Sequence, residues 1–232
     1  MKYLGKKIII IDNSNLSYSG DDLNGSIIRG TETSLILLAE QFVKMGIEVD
    51  YCNCIEIIKK VNGVNYFNKD NINMSKIYDL AIAISDANEF KRVSSIKKAI
   101  FSNSNQPFEK FIRKKQLIPF LKYKPTLITL CDYQFKERSF FTSFYGKKTI
   151  PITVDPKFLN IKIDKNHLPE RKVVYNIRSN RNLNLLIKIW CEKIYPINKE
   201  FKLYITPGLL EYKDYHLKNN IFLRTIGSRS EM

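Results

Sequence analysis

The first fifty residues constrain this chain more than anything that follows. Lys7 to Asp12 is a run of four isoleucines with a charge at either end. An unbroken stretch of β-branched side chains this short reads as a buried strand. Asn13 to Gly30 is polar and glycine-containing and reads as a loop. From Thr31 to Met45 the apolar residues Leu35, Leu38, Ala39, Phe42 and Met45 recur at helical spacing. Gly46 then stands where a helix C-terminus calls for positive φ. Ile47 to Asn53 follows, with apolar residues at alternate positions. Strand, loop, helix and strand in this order make a βαβ unit, and a chain that opens this way belongs to the α/β class.

The same rhythm continues. Strands are predicted at Val64–Phe67, Tyr78–Ser85, Lys98–Phe101, Pro125–Leu130 and Thr149–Val154. Helices are predicted at Phe108–Leu117 and Tyr133–Phe144. Tyr78–Ser85 is almost continuously apolar, as a parallel strand covered on both faces is. Asp155 to Arg171 is polar and carries Pro156 and Pro169, which fits an interdomain linker. The alternation then restarts with strand Lys172–Ile177, helix Leu183–Tyr195, and strands Phe201–Ile205 and Ile221–Ile226. Leu183, Leu186, Ile187 and Trp190 share one helical face. The expected organisation is therefore an N-terminal domain over 1–154, a linker over 155–171, and a partial second domain over 172–232. The last block has room for about half of an ordinary domain of ~100–150 residues.

Composition narrows the class. At 44% hydrophobic over 232 residues the chain can bury a real core. No stretch nears the ~18 apolar residues that span a bilayer, and Asp12 ends the first apolar run too early for a signal peptide. A soluble, cytoplasmic protein is expected. The four cysteines, Cys52, Cys54, Cys131 and Cys191, lack metal-site spacing, and His167 and His216 stand apart, so no metal site is expected. The net charge of +15 admits two readings: an anionic partner, or the Lys-, Ile- and Asn-rich composition of an AT-rich genome. The basic runs Lys97-Lys98, Arg113-Lys114-Lys115 and Lys147-Lys148 form no nucleic-acid motif, and no nucleic-acid partner is expected.

Three segments are placed for chemistry, because ligands of open α/β sheets bind beyond the carboxyl ends of strands. The loop Asn24–Glu32 leads into the first helix, where Gly30 lets a ligand approach the backbone and Thr31 offers a hydroxyl; a helix N-terminus there suits phosphate. The competing reading is a plain turn. In Tyr175–Leu183, Arg178 and Arg181 follow a strand and are spaced to clamp a diphosphate; the alternative is a solvated basic loop. In Ile100–Pro107 the Asn and Ser side chains either bind acceptor hydroxyls or cap the helix near Pro107. Asp132 reads as a helix cap.

These motifs, taken in order, resemble family 4 glycosyltransferases of the GT-B fold. Gly30-Thr31-Glu32-Thr33, Leu37-Leu38-Ala39-Glu40 and Lys44-Met45-Gly46-Ile47-Glu48-Val49 are similar to that family's first helix and its exit. Val173 to Arg178, then Arg181-Asn182-Leu183, resemble the entry into its C-terminal domain. Phe201 to Gly208 and Asn220 to Gly227 resemble the following strands. The resemblance implies two Rossmann-like domains, the second incomplete. The first would bind a polysaccharide or glycolipid acceptor and the second a nucleotide-diphosphate sugar. Gly30, Thr31, Arg178 and Arg181 would face the donor phosphates. Transfer would retain anomeric configuration without a metal or other cofactor, and the enzyme would work at the anionic inner face of a membrane in cell-surface polysaccharide synthesis. Asn103 falls where the family carries a catalytic histidine; an amide hydrogen-bonds a sugar but does not carry imidazole's proton chemistry. Ile177 replaces a usual glycine, and the family's Glu-x7-Glu pair is expected beyond residue 232. The alternative reading is a non-catalytic α/β binding module: a degenerate transferase or a basic protein that binds polyanions or lipid.

Overall fold

The computed structural model describes residues 3–23, 28, 30–102, 108–136, 140–151, 153–154, 159, 170–175, 182–205 and 221–223. The chain divides into two compact units, Met1–Asn160 and Ile161–Met232, with the division inside the stretch read as a linker.

The first unit is an α/β sandwich built on β1 (Lys7–Ile11), β2 (Glu48–Asn53), β3 (Lys59–Val61), β4 (Val64–Asn68), β5 (Ile77–Ile84), β6 (Ser94–Ser102), β7 (Thr126–Thr129) and β8 (Lys147–Thr149). They form one sheet in the order β3-β4-β2-β1-β5-β6-β7-β8, parallel except for β3 against β4. Without that edge strand the order steps outward from β1 through β2 to β4, then from β5 through β6 and β7 to β8. This is a mostly parallel α/β sheet compatible with a Rossmann-like fold.

The alternation of side chains across β1 builds both layers. Ile8 and Ile10 face α1 (Gly30–Lys44) and pack with Leu35, Ile36 and Ala39. Ile9 and Ile11 face the other way and pack with Phe90, Phe111, Phe120 and Leu127. That second layer comprises the 3-10 turn Ala87–Arg92 and the helices α2 (Phe108–Arg113) and α3 (Leu117–Tyr123). The α1 exit closes as read from sequence. Gly46 takes φ +84, its N–H bonds Val43 O at 2.9 Å, and Ile47 N bonds Phe42 O at 3.1 Å, a Schellman closure.

Several expectations need correction. A single helix over Phe108–Leu117 is instead two, because Lys115 adopts φ +52. Lys115 N bonds Ile112 O and Gln116 N bonds Phe111 O, both at 2.9 Å, so the same closure ends α2 without a glycine to announce it. The helix expected over Tyr133–Phe144 is described as α4 (Tyr133–Lys136) and a 3-10 turn, Phe140–Ser143. The strand expected at Thr149–Val154 lies at Lys147–Thr149, set by pairing of Leu127 with Lys147. Of the four cysteines only Cys52 is buried; Cys131 is exposed, and Cys54 and Cys191 are half-buried.

The second unit holds β9 (Lys172–Tyr175), α5 (Leu183–Ile189), β10 (Lys202–Ile205) and β11 (Ile221–Leu223). Its strands are parallel in the order β11-β10-β9. Trp190, the chain's single tryptophan, begins a π turn after α5 and is fully buried with Leu183, Ile187, Leu203 and Ile205. Among the described residues no helix is long and apolar enough to cross a membrane.

Candidate functional site

The strand order creates one distinctive place in the first unit. β1 and β5 are parallel neighbours, paired from Ile8–Leu80 to Ile11–Ala83. After β1 the chain goes to β2 on one side; after β5 it goes to β6 on the other. The two loops diverge, and a crevice opens beyond the carboxyl ends of these strands.

Asp12, Asn13 and Ser14 form the β1 side of this rim. Asp12 is buried and accepts from Ser14 N at 2.9 Å, from Ser14 Oγ at 2.8 Å, and from the Tyr18 hydroxyl in a very short bond. Tyr18 and Tyr51 share a second hydroxyl contact at 2.6 Å, in which Tyr51 donates because the Tyr18 proton is engaged by Asp12. Burial, then the neighbouring Tyr51 and Asp12, push the Tyr18 phenol far above its ordinary range; burial does the same to Tyr51. Both phenols are therefore fixed as neutral donors. Asn53, at the end of β2, donates to Tyr18 O at 2.8 Å and accepts from Ile55 N at 2.7 Å. This network ties the β1 loop to the end of β2, so the rim is rigid where it leaves the sheet.

Ser85 and Asp86 form the β5 side. Ser85 has φ +57, a left-handed conformation that costs a non-glycine residue free energy. Gln116, 1% exposed, holds it: its Nε2 donates to Ser85 O at 3.3 Å and its Oε1 accepts from Ala87 N at 3.2 Å. Ser85 N donates to Phe101 O at 2.9 Å. Asp86 caps the following turn, accepting from Asn88 N at 2.9 Å through Oδ1. Its Oδ2 reaches across the crevice and accepts from Asn13 Nδ2 at 3.3 Å. One polar bridge thus joins the two diverging loops.

Two more carboxyls stand near the carboxyl edge. Glu32, in the first turn of α1, lies three, four and seven residues before Leu35, Ile36 and Ala39, so it continues the sheet-facing stripe. It is 5% exposed, and its Oε2 has no hydrogen-bond partner. Glu89, also 5% exposed, makes an ion pair with Arg92 Nε at 3.3 Å, not a hydrogen bond. Burial raises its carboxyl above the ordinary range against the pull of Arg92. Together the side chains at this edge are acids, amides and hydroxyls, which suit neutral polyhydroxyl groups better than phosphate.

Of the residues singled out from sequence, Gly30 is the first residue of α1, as expected at a helix start. It is exposed, and a Cβ there would meet nothing within 4 Å, so its backbone is open to approach. Thr31 follows, half-buried. Asn103, Arg178 and Arg181 lie outside the described residues; β6 ends just before the first of them with the fully buried Ser102. Asp132, read as a cap, accepts instead from the Thr149 hydroxyl. Sequence reasoning did not single out Asn13, Ser85, Asp86 or Gln116. Their one sequence signal is position, directly after two apolar strands for the first three, and which strands become neighbours is not a local property. No protein-family model matches this chain, and no curated protein matches it in sequence.

Proposed function

We propose that this chain acts as a glycosyltransferase that moves a sugar from a nucleotide-diphosphate donor to a polysaccharide or glycolipid acceptor, its first unit on the acceptor side and its second on the donor side. The bridged rim between β1 and β5 carries this reading. A crevice edged by Asn13, Ser14, Ser85 and Asp86 offers the carboxylates, amides and hydroxyls that exchange hydrogen bonds with sugar hydroxyls. Its acidic character disfavours a polyphosphate and favours an acceptor.

The GT-B reading has a second support. β9, α5, β10 and β11 run outward in the same sense as β1, α1, β2 and β4, so the second unit opens like the first. On the family resemblance, Arg178 and Arg181 follow β9 and take the diphosphate, Gly30 and Thr31 supply a helix N-terminus that suits phosphate, and Asn103 positions an acceptor hydroxyl. The transfer would be retaining and metal-independent.

Calorimetric titration of the full chain with uridine, guanosine and thymidine diphosphate sugars tests this. One donor is expected to bind. Arg178→Ala should weaken it about tenfold or more, the loss of charge-assisted bonds of ~1.5–3 kcal/mol, with an unchanged circular dichroism spectrum. Asn13→Ala should leave donor affinity unchanged and weaken acceptor. A chain that binds none of the donors does not have this function.

A further inference from the structure

We infer that the chain pairs with a second copy of itself through the outer half of β6, at the amino edge of the first unit's sheet. β5 and β6 run past their neighbours there. β1 meets β5 only from Leu80 onward, and β7 meets β6 only from Ala99 onward. Ahead of those points Ile77 and Tyr78 still pair with Ser94 and Ser95, so the two strands project as a ribbon. The β6–β7 ladder stops for a local reason. Its register places Pro125 beside Lys98, and proline has no N–H to extend the ladder. Among the described residues no strand pairs with Ser94–Lys98 on that side. An open strand edge is a template for another chain.

The ribbon is also apolar where it meets water. Ile77 is 65% exposed, Ile96 72%, Met74 63% and Leu4 74%. These side chains belong to one patch. Ser94 Oγ donates to Met74 O at 3.1 Å, which sets Met74 beside the start of β6. Lys6, two residues after Leu4, reaches Asp79, two residues after Ile77, at 2.8 Å. Exposed Tyr3 lies beside them, its carbonyl bonded by Lys6 N at 3.2 Å. Together they offer on the order of 500 Å² of apolar surface, near the most that a monomer ordinarily leaves bare. With the backbone and polar atoms between them, the patch approaches the ~800 Å² per partner of a standard interface.

Charge and symmetry select the occupant. The whole chain carries +15, so most of its faces repel a copy. At this edge the acids already have partners: Asp79 pairs with Lys6, and Glu48 with Lys76 at 2.7 Å. A strand that meets itself across a two-fold axis runs antiparallel. Centred on Ile96, the segment Ser94-Ser95-Ile96-Lys97-Lys98 then sets Ile96 against Ile96 of the second copy. Lys97 stands opposite Ser95 and Lys98 opposite Ser94, so no like charges face each other across the pair. Lys98 is also engaged within its own chain. Its Nζ donates to Ser95 O at 2.7 Å and lies 5.6 Å from the Tyr123 ring. An acidic partner therefore gains less here than the aliphatic patch gains from its own copy. The inference is independent of sugar transfer: self-association is measured without donor or acceptor, and either reading can fail alone.

Sedimentation equilibrium of the full chain across the micromolar range tests it. A reversible dimer is expected, and it should persist as salt rises, because apolar contacts and backbone bonds hold it. Ile96→Lys sets two ammonium groups face to face and should raise the dimer dissociation constant about tenfold or more. Ile118→Lys adds the same charge at a comparably exposed isoleucine on α3 and should change it little. Both variants should keep the wild-type circular dichroism spectrum. Ile96→Cys reads the same contact without a charge. Opposed residues of antiparallel strands have Cα atoms ~4.5–5.5 Å apart, within the span of a disulfide. With oxidised glutathione as the electron acceptor, this variant should cross-link into a dimer on a non-reducing gel. Wild type, with its exposed Cys131, and Ile118→Cys should cross-link far less. A chain that stays monomeric overturns the inference. So does a dimer indifferent to Ile96→Lys, or a monomer that instead binds a poly-glutamate peptide and loses it in Lys97→Gln.

Discussion

Replacing Gln116 with leucine should loosen the β5 side of the crevice without emptying the core. The side chain is almost fully buried and shape-matched by leucine, so packing changes little. Two hydrogen bonds are lost: the one accepted from Ala87 N at 3.2 Å and the one donated to Ser85 O at 3.3 Å. Leaving the Ala87 N–H buried without that acceptor costs ~1–3 kcal/mol, and the bond to Ser85 contributes ~0.5–1.5 kcal/mol net. The sum, about 1.5–4.5 kcal/mol, corresponds to roughly a tenfold to two-thousandfold rise in opening. Trp190 lies in the second unit, so tryptophan fluorescence is blind to this change. Amide hydrogen exchange in peptides spanning 77–92 is the direct assay. Ser85→Gly, which removes the left-handed cost of ~1–2 kcal/mol at φ +57, should restore part of the protection in the leucine variant. If exchange over 77–92 is the same in wild type and Gln116→Leu, the turn is not held by this amide and the rigidity argued for the rim is refuted.

Two further outcomes follow from the same unit. Gly63→Ala should destabilise it by about 2–3 kcal/mol in urea, because Gly63 has φ +84 and a Cβ would come within 2.5 Å of Val43 Cγ1; adding Val43→Ala should remove the steric share of the conformational strain, and a double variant no better packed than its parts would count against this. Glu89→Gln should stabilise the unit at pH 7.5 and lose its advantage near pH 4. Burial makes the folded state hold the Glu89 proton more tightly than the unfolded chain, so its favourable contribution is full below the ordinary carboxylate range and disappears as pH rises through the folded-state value. Urea midpoints that differ equally at both pH values would contradict it.

Much of the first βαβ unit was readable because its signals are local. Four isoleucines between charges make β1, a repeated apolar stripe makes α1, and Gly46 ends it. The β3–β4 hairpin was equally local. Asn62-Gly63, both with positive φ between Val61 and Val64, is the two-residue turn that reverses a chain. The expectation nonetheless held only the second strand, because β3 is three residues long with a lysine pair at its start. The outer half of β6 was missed for a different reason. Ser94 to Lys97 is largely exposed and carries no apolar alternation; it is a strand because Ile77 and Tyr78 pair with Ser94 and Ser95. Lys115 could not be read as a helix stop, since nothing in its side chain asks for φ +52.

The amino-acid order alone settled the α/β class, the parallel strands and the helix that follows the first of them, because propensity, burial period and turn chemistry act over a few residues. Neighbourhood was decided only in three dimensions. That β1 lies beside β5 and not only β2, that Asn13 meets Asp86 across 73 residues, and that Gln116 reaches back to Ser85 are products of sheet order. Strand pairing depends on the combined burial of both sheet faces, a property of the whole unit, and the crevice exists only once that order is fixed.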